Sequence, residues 1–295
     1  MGPREHRERR LRGVSLISLN QLEAQMDQFD IDPLRPLIIH TSLTAMGLVE
    51  GGANALLSML EDRTRQSALV VPAFSPQLNH PSTWPATRLE GRSIEECAAS
   101  ISFNPWSTPC GRRLGVVPEL FRRRSGVARS RHPHTSFAAK GAAAGLVDAH
   151  PFALRMGERS PLGRLYDLRA NILMIGTSWE TCTSLHLAEY RAAYAGRMAG
   201  GWLVPLPRTS VEEPTTWRLY DEVVVWEGDF DPIGASFLAD HRSAAGCAQT
   251  RPVGRTQGTL VDMRSLVDFA EMWLMKYRDL RGWRVPSFWR EARPW

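Results

Sequence analysis

The sequence predicts an α/β fold: a layered α/β/α single domain with a central mixed sheet and a long inserted loop. Three observations carry that prediction. Short apolar runs of strand length, Leu37-Ile38-Ile39, Ser67-Ala68-Leu69-Val70-Val71 and Ile172 to Ile175, recur between helix-like segments, and strands alternating with helices are the mark of the α/β class. Residues 261–280, VDMRSLVDFAEMWLMKYRDL, space their apolar side chains as an amphipathic helix does. Residues 75–113 are rich in Pro, Ser, Thr, Asn and Trp with little periodicity, and so long a stretch inside a compact protein is usually a functional loop or lid. No linker divides the chain.

The elements follow in order. Residues 1–14 read as a basic, solvated tail. Residues 15–29, SLISLNQLEAQMDQF, have helical spacing with Ser18 or Asn20 as cap, and Asp32-Pro33 breaks the pattern. The strand at 37–39 ends at His40, TSLTAMGLVEGG follows, and a helix is predicted from Ala53 to Leu60. The strand at 67–71 is stopped by Pro72. After the 75–113 loop come a short helix (GVVPELFRRR, 115–124), the loop SGVARSRHPHTS, an apolar run at Phe137–Ala139, and a helix near 142–148. SPLGRLYDL (160–168) is a turn and a short helix, and NILMIGTSWETCTSLHLAEY (171–190) is strand, loop and helix. Two strands are expected around Pro-rich turns, at Gly201–Pro205 and Leu219–Trp226, then the helix of 261–280 and an Arg, Trp and Pro tail at 281–295.

Composition bounds the function. The chain has 295 residues, 43% of them hydrophobic, long enough for a sizeable core. No apolar run approaches the roughly 18–20 residues that span a bilayer, and the basic N-terminus has no apolar stretch behind it. A cytoplasmic protein with no membrane association is expected. Cys97, Cys110, Cys182 and Cys247 include no CxxC pair, so no metal site is expected from them. Cys182 stands four residues before His186, but a buried, inert thiol is the preferred reading. A net charge of +5 suits a polyphosphorylated ligand, while interspersed acids argue against a nucleic-acid partner.

The chemistry concentrates at 171–190. A strand ending in Gly176, a polar loop carrying Glu180 and a helix opening on His186 place an imidazole where α/β proteins bind ligands. A helix start favours neutral imidazole, a competent general base. Glu180 can fold back to orient it, and Glu189, three residues on, lies on the same helix face. The His132-Pro133-His134-Thr135-Ser136 loop, flanked by Arg129 and Arg131, reads equally as a phosphate or substrate loop and as a hydrogen-bonded surface turn. Thr41-Ser42, with Gly51-Gly52 opening a helix, forms a weak anion-cradle signal. Glu227-Gly228-Asp229-Phe230-Asp231 sets three acids around one aromatic, a solvated turn or a site for a polyamine.

Taken in register, IIHTSLTAMGLVEGGA (38–53), VVPAFS (70–75), GVVPELFRRRSGVARSRHPHTSFAAKG (115–141), SPLGRLYDL (160–168), ILMIGTSWETCTSLHLAEYRA (172–192) and GDFDPIG (228–234) resemble the aminoglycoside 3-N-acetyltransferase family, over roughly residues 15–280. The resemblance implies an acyltransferase that moves an acetyl group from acetyl-CoA directly to an amine, typically the 3-amino group of a 2-deoxystreptamine aminoglycoside, conferring resistance. A different amine of a biosynthetic pathway is the alternative acceptor. The family's histidine falls on His186 as general base. Its usual aspartate falls on Glu180, one methylene longer, and a later carboxylate on Asp229 or Asp231, which with His132 and Ser136 are the expected substrate-binding residues. Thr41, Ser42, Leu43, Gly115, Arg129 and Ser130 match parts that form the CoA cleft. The implied partners are acetyl-CoA and a small amine, with a homodimer left open. A pI near 9.3 is in tension with a polycationic substrate, unless the pocket is locally acidic.

Overall fold

The computed structural model describes residues 16–194, 197, 199–208, 210, 212–226, 228–240 and 245–278. The two predicted tails, 1–14 and 281–295, and Glu227 lie outside the described residues. The strands are β1 (Leu16–Ile17), β2 (Leu37–Thr41), β3 (Leu48–Val49), β4 (Leu69–Pro72), β5 (Ala128–Arg129), β6 (Phe137–Lys140), β7 (Asn171–Ile175), β8 (Ala199–Pro205), β9 (Trp217–Val223), β10 (Ala248–Val253) and β11 (Thr256–Asp262). The helices are α1 (Leu19–Met26), α2 (Leu43–Met46), α3 (Gly52–Arg63), α4 (Ala86–Leu89), α5 (Ile94–Ser100), α6 (Val116–Arg122), α7 (Pro161–Asp167), α8 (Leu185–Arg191), α9 (Phe230–Ala239) and α10 (Met263–Tyr277).

A mixed sheet of seven strands runs β10-β11-β7-β2-β4-β6-β5. Its centre is parallel, with β2 between β7 and β4, and both flanks are antiparallel. Alternate side chains leave opposite faces of a strand. Ile38, Val70, Ile172 and Met174 therefore join one buried cluster, which α7, α8, α9 and α10 close through Leu165, Leu185, Ile233 and Leu266. Leu37, Ile39, Leu69, Val71, Leu173 and Ile175 join the other, closed by α1, α3 and α6 through Leu22, Leu56 and Phe121. Burial on both faces explains why the central strands read as unbroken apolar runs. The architecture is the predicted α/β/α sandwich.

Several elements differ from expectation. The predicted 15–29 helix starts only at Leu19, because Ser18 Oγ accepts the Gln21 N–H while Gln21 returns its side chain to the Ser18 N–H. The helix expected near 142–148 is one 3₁₀ turn, Ala144–Val147, with glycine, a weak helix former, as its second residue. The β10–β11 hairpin and α9, which begins inside the acidic segment, were not foreseen, nor were the short β1, β3, β5, α2, α4 and α5. The 75–113 insertion is locally ordered, with α5 opened by a Ser93/Glu96 capping box.

Candidate active site

A cleft of about 490 Å³ opens at the carboxyl ends of the three parallel strands, the position at which open α/β sheets bind ligands. Thr41, Ser42 and Leu43 line it from the end of β2, Gly115 from the start of α6, and Glu180 and His186 from the segment after β7. That segment is shaped by close approach. Gly176 turns the chain out of β7 at φ +64°, and a Cβ there would lie 2.6 Å from the Ala45 Cβ. A Cβ on Gly234 of α9 would sit 2.1 Å from the Trp179 indole, so the loop carrying Glu180 packs flush on α9.

His186 is the second residue of α8, its side chain 25% exposed, and Phe230 packs edge-on against its ring at 4.9 Å. Its Nδ1 lies 2.5 Å from Glu189 Oε2, whose side chain is 0% exposed. An ionised carboxylate only accepts, so Nδ1 carries a proton, and in the neutral ring the lone pair is then on Nε2. Burial pushes the Glu189 carboxyl up, but the His186 hydrogen bond and the Arg278 guanidinium outweigh it, and the net shift is downward. Glu189 Oε1 also accepts the Trp226 N–H at 3.2 Å and lies 2.7 Å from Arg278 Nη2. Arg278 Nε donates to Asp229 Oδ2 at 2.6 Å. Burial raises the Asp229 carboxyl, with Arg278 only partly offsetting it. The chain His186–Glu189–Arg278–Asp229 has only its imidazole end on the cleft.

The sequence left the carboxylate partner of His186 open between Glu180 and Glu189, and the structure puts Glu189 on the ring. Glu180 instead accepts the Asp231 N–H at 3.0 Å, and Asp231 accepts the Glu180 N–H at 3.3 Å. Glu180 lines the cleft, whereas Asp231 lies exposed on α9.

Six expected binding residues are corrected: Asp229, enclosed against Arg278, and Asp231, exposed on α9, are not on the cleft wall, and the other four lie at 129–136. Arg129 is buried, and its guanidinium donates to Ser136 Oγ, Ser75 Oγ and the carbonyls of Ala73 and Thr108. Ser130 accepts the Phe137 N–H and bonds His150 Nδ1. His132 Nδ1 accepts the N–H groups of His134 and Thr135, and Ser136 donates to the Ala73 carbonyl. None of the four lines the cleft. A loop carrying seven polar side chains looks like a binding loop in sequence, but here all of them except the exposed Arg131 fold inward, most onto partners within the protein. Cys182 is fully buried, with its thiol pushed up to about 12 by burial, which leaves no thiolate to act as nucleophile.

Two residues of the site were missed. Arg278 stood unremarked at the end of an amphipathic helix, and nothing in local spacing joins it to residue 189. His40 was read only as a strand end. It lines the cleft, burial lowers it to about 4, and its enclosed Nε2 has no hydrogen-bond partner among the described residues. An apolar strand that ends in histidine at the ligand-binding edge was the available signal.

Residues 38–275 match the family described as aminoglycoside 3-N-acetyltransferase. The chain is 33% identical to the SPbeta prophage-derived aminoglycoside N(3')-acetyltransferase-like protein YokD of Bacillus subtilis, over 81% of this chain and 85% of that one. The crystal structure of YokD superimposes with a TM-score of 0.76, covering 88% of this chain and 93% of that one. The chain is 31% identical to aminoglycoside N(3)-acetyltransferase VII of Streptomyces paromomycinus, over 81% and 84% of the two chains. The structure titled AAC-IIIb binary with CoASH aligns at a TM-score of 0.74 and 25% identity, covering 89% and 97% of the two chains. The chain is an acyltransferase and belongs to the aminoglycoside 3-N-acetyltransferase family.

Proposed function

We propose that this enzyme transfers the acetyl group of acetyl-CoA to the 3-amino group of a 2-deoxystreptamine aminoglycoside in the cytoplasm, in one step and without an acetyl-enzyme, and so confers resistance. The observation that carries the mechanism is the 2.5 Å contact between His186 Nδ1 and the buried Glu189, which leaves Nε2 as an acceptor on the cleft. The family supports the substrates, and the relative solved with CoASH supports the acyl donor.

The chemistry follows from the lone pairs. An ammonium cannot attack a thioester, so the substrate reacts as the neutral amine, its ammonium proton having gone to solvent, and it sheds a further N–H proton as the C–N bond forms. His186 Nε2 takes that proton, and Glu189 stabilises the resulting imidazolium. The C–N bond forms, the C–S bond breaks, and the departing thiolate recovers the proton from His186 as CoA thiol. Apolar side chains such as Ile39, Val71 and Val117 wall the donor arm, while Thr41, Ser42 and Gly115 offer polar and backbone contacts. Glu180, on the cleft wall, offers a carboxylate to one of the substrate's remaining ammonium groups.

Thiol release from acetyl-CoA with a panel of aminoglycosides, such as gentamicin and kanamycin, tests this reading. Release is expected only with an amine present, and His186→Ala is expected to lose about 10²–10⁴-fold in kcat. Undiminished turnover by that variant sinks the mechanism. Acetylation of other amines with no aminoglycoside accepted sinks the assigned acceptor.

A further inference from the structure

The end of α10 delivers a cation to the catalytic centre. Arg278 directly follows the helix and its side chain is 0% exposed. It meets Glu189 at 2.7 Å and Asp229 at 2.6 Å, and its guanidinium carbon lies 4.6 Å from the centre of the Tyr194 ring. We propose that Arg278 is a positioning residue for acyl transfer: by pairing with Glu189 it keeps that carboxylate ionised, and thereby keeps His186 in the tautomer that can accept the substrate's proton. This deepens the function proposed above and rests on His186 as the base.

The argument is a proton count. A fully buried carboxylate without a cation takes up a proton. The groups around Glu189 are His186 and Tyr190 on its own helix, Tyr194 just beyond it, the Trp226 amide, Asp229 at the start of α9, and Arg278 at the end of α10. Behind Tyr190 stands Glu222, already paired with Arg155, and Glu180 bears on Asp229 from the cleft side. With His186 neutral, Arg278 is the permanent cation paired with Glu189. Its loss leaves Glu189 and Asp229 as two buried carboxylates facing each other's charge.

A protonated Glu189 inverts the hydrogen bond. Its O–H donates to Nδ1, the ring proton moves to Nε2, and the nitrogen facing the cleft has no lone pair to receive a proton. In Ser-His-Asp enzymes a partner that enforces the wrong tautomer lowers kcat about 10⁴-fold. Asp229 contributes from the far side. Its Oδ2 holds the guanidinium, and its Oδ1 is enclosed without a hydrogen-bond partner among the described residues.

The test compares Arg278→Met, Arg278→Lys and Glu189→Gln with wild type, in the full chain, as kcat and KM for acetyl-CoA from pH 6 to pH 9, with melting temperatures alongside. Arg278→Met is expected to lose about 10²–10⁴-fold in kcat at pH 7 with KM for acetyl-CoA unchanged, because Arg278 does not line the cleft. Its activity relative to wild type is expected to climb with pH as Glu189 ionises again. Glu189→Gln is expected to stay low with a flat ratio, and Arg278→Lys, which keeps the charge, to recover much of the loss. A ratio for Arg278→Met that is flat with pH, or equal to one, overturns the inference. If Arg278→Met does not fold, a lysine variant that folds yet is as inactive as Glu189→Gln at every pH overturns it too. Unchanged turnover in His186→Ala and Glu189→Gln would instead sink the reading on which the inference rests.

Discussion

His186 and Glu189 are three residues apart on α8, so one helical turn brings them together. That pairing was available from spacing, yet spacing also allowed Glu180. The choice between them turns on the α9 contact: Glu180 and Asp231 satisfy each other's backbone N–H groups across two elements, and a carboxylate so held is turned from the imidazole. Glu189→Gln therefore is expected to lose about 10²–10⁴-fold in kcat, close to the His186→Ala effect, whereas Glu180→Gln is expected to act chiefly on KM for the amine. Steady-state kinetics of both variants check this. A kcat loss confined to Glu180→Gln would return the partner role to that residue.

Among the elements, the 75–113 insertion shows best what a local reading leaves out. Its lack of periodicity marks it in sequence as a functional loop or lid. In the structure Arg129 fastens both of its ends, through Ala73 and Ser75 on one side and Thr108 on the other, and burial lowers this guanidinium to about 10. The far end of the insertion is also docked, where Thr215 and Trp217 meet carbonyls of residues 98–101. Arg129→Ala strands several buried acceptors, and hydrogen bonds to charged groups contribute about 1.5–3 kcal/mol each. A loss of about 3 kcal/mol or more in denaturant stability is expected, together with faster protease cleavage inside 75–113. Stability within error of wild type would show that the guanidinium is not the fastening.

Across the whole molecule, three histidines are buried together behind β6. The His132 and His150 rings lie 4.8 Å apart, and the His132 and His134 rings 6.0 Å apart. Burial lowers His134 and His150 to about 3 and holds His132 well below the usual range. The unfolded chain binds protons on all three below pH about 6.5 while the folded chain does not. The cluster has no effect on stability above that pH and destabilises progressively as pH falls toward the folded values. By pH 5 His134 and His150 each remove about 2 kcal/mol, and His132 acts in the same direction. The denaturation midpoint is therefore expected to drop steeply between pH 6.5 and pH 4, and less steeply in His134→Gln. A midpoint flat over that range would mean that the cluster opens to water. Among the described residues no helix is long and apolar enough to cross a membrane.

The α/β class, the three parallel strands and the place of His186 were legible in the sequence, because they depend on local periodicity: apolar runs of strand length, a glycine where the backbone must turn, and a helix start three residues before a carboxylate. The fate of the other polar residues was not. Residues 129–136 and residue 180 carry the same side chains whether they face a ligand or each other, and only packed neighbours from distant elements distinguish those cases. Arg278 is the clearest example. Its partners lie 89 and 49 residues earlier in the chain, and their meeting is an outcome of how α8, α9 and α10 close one face of the sheet.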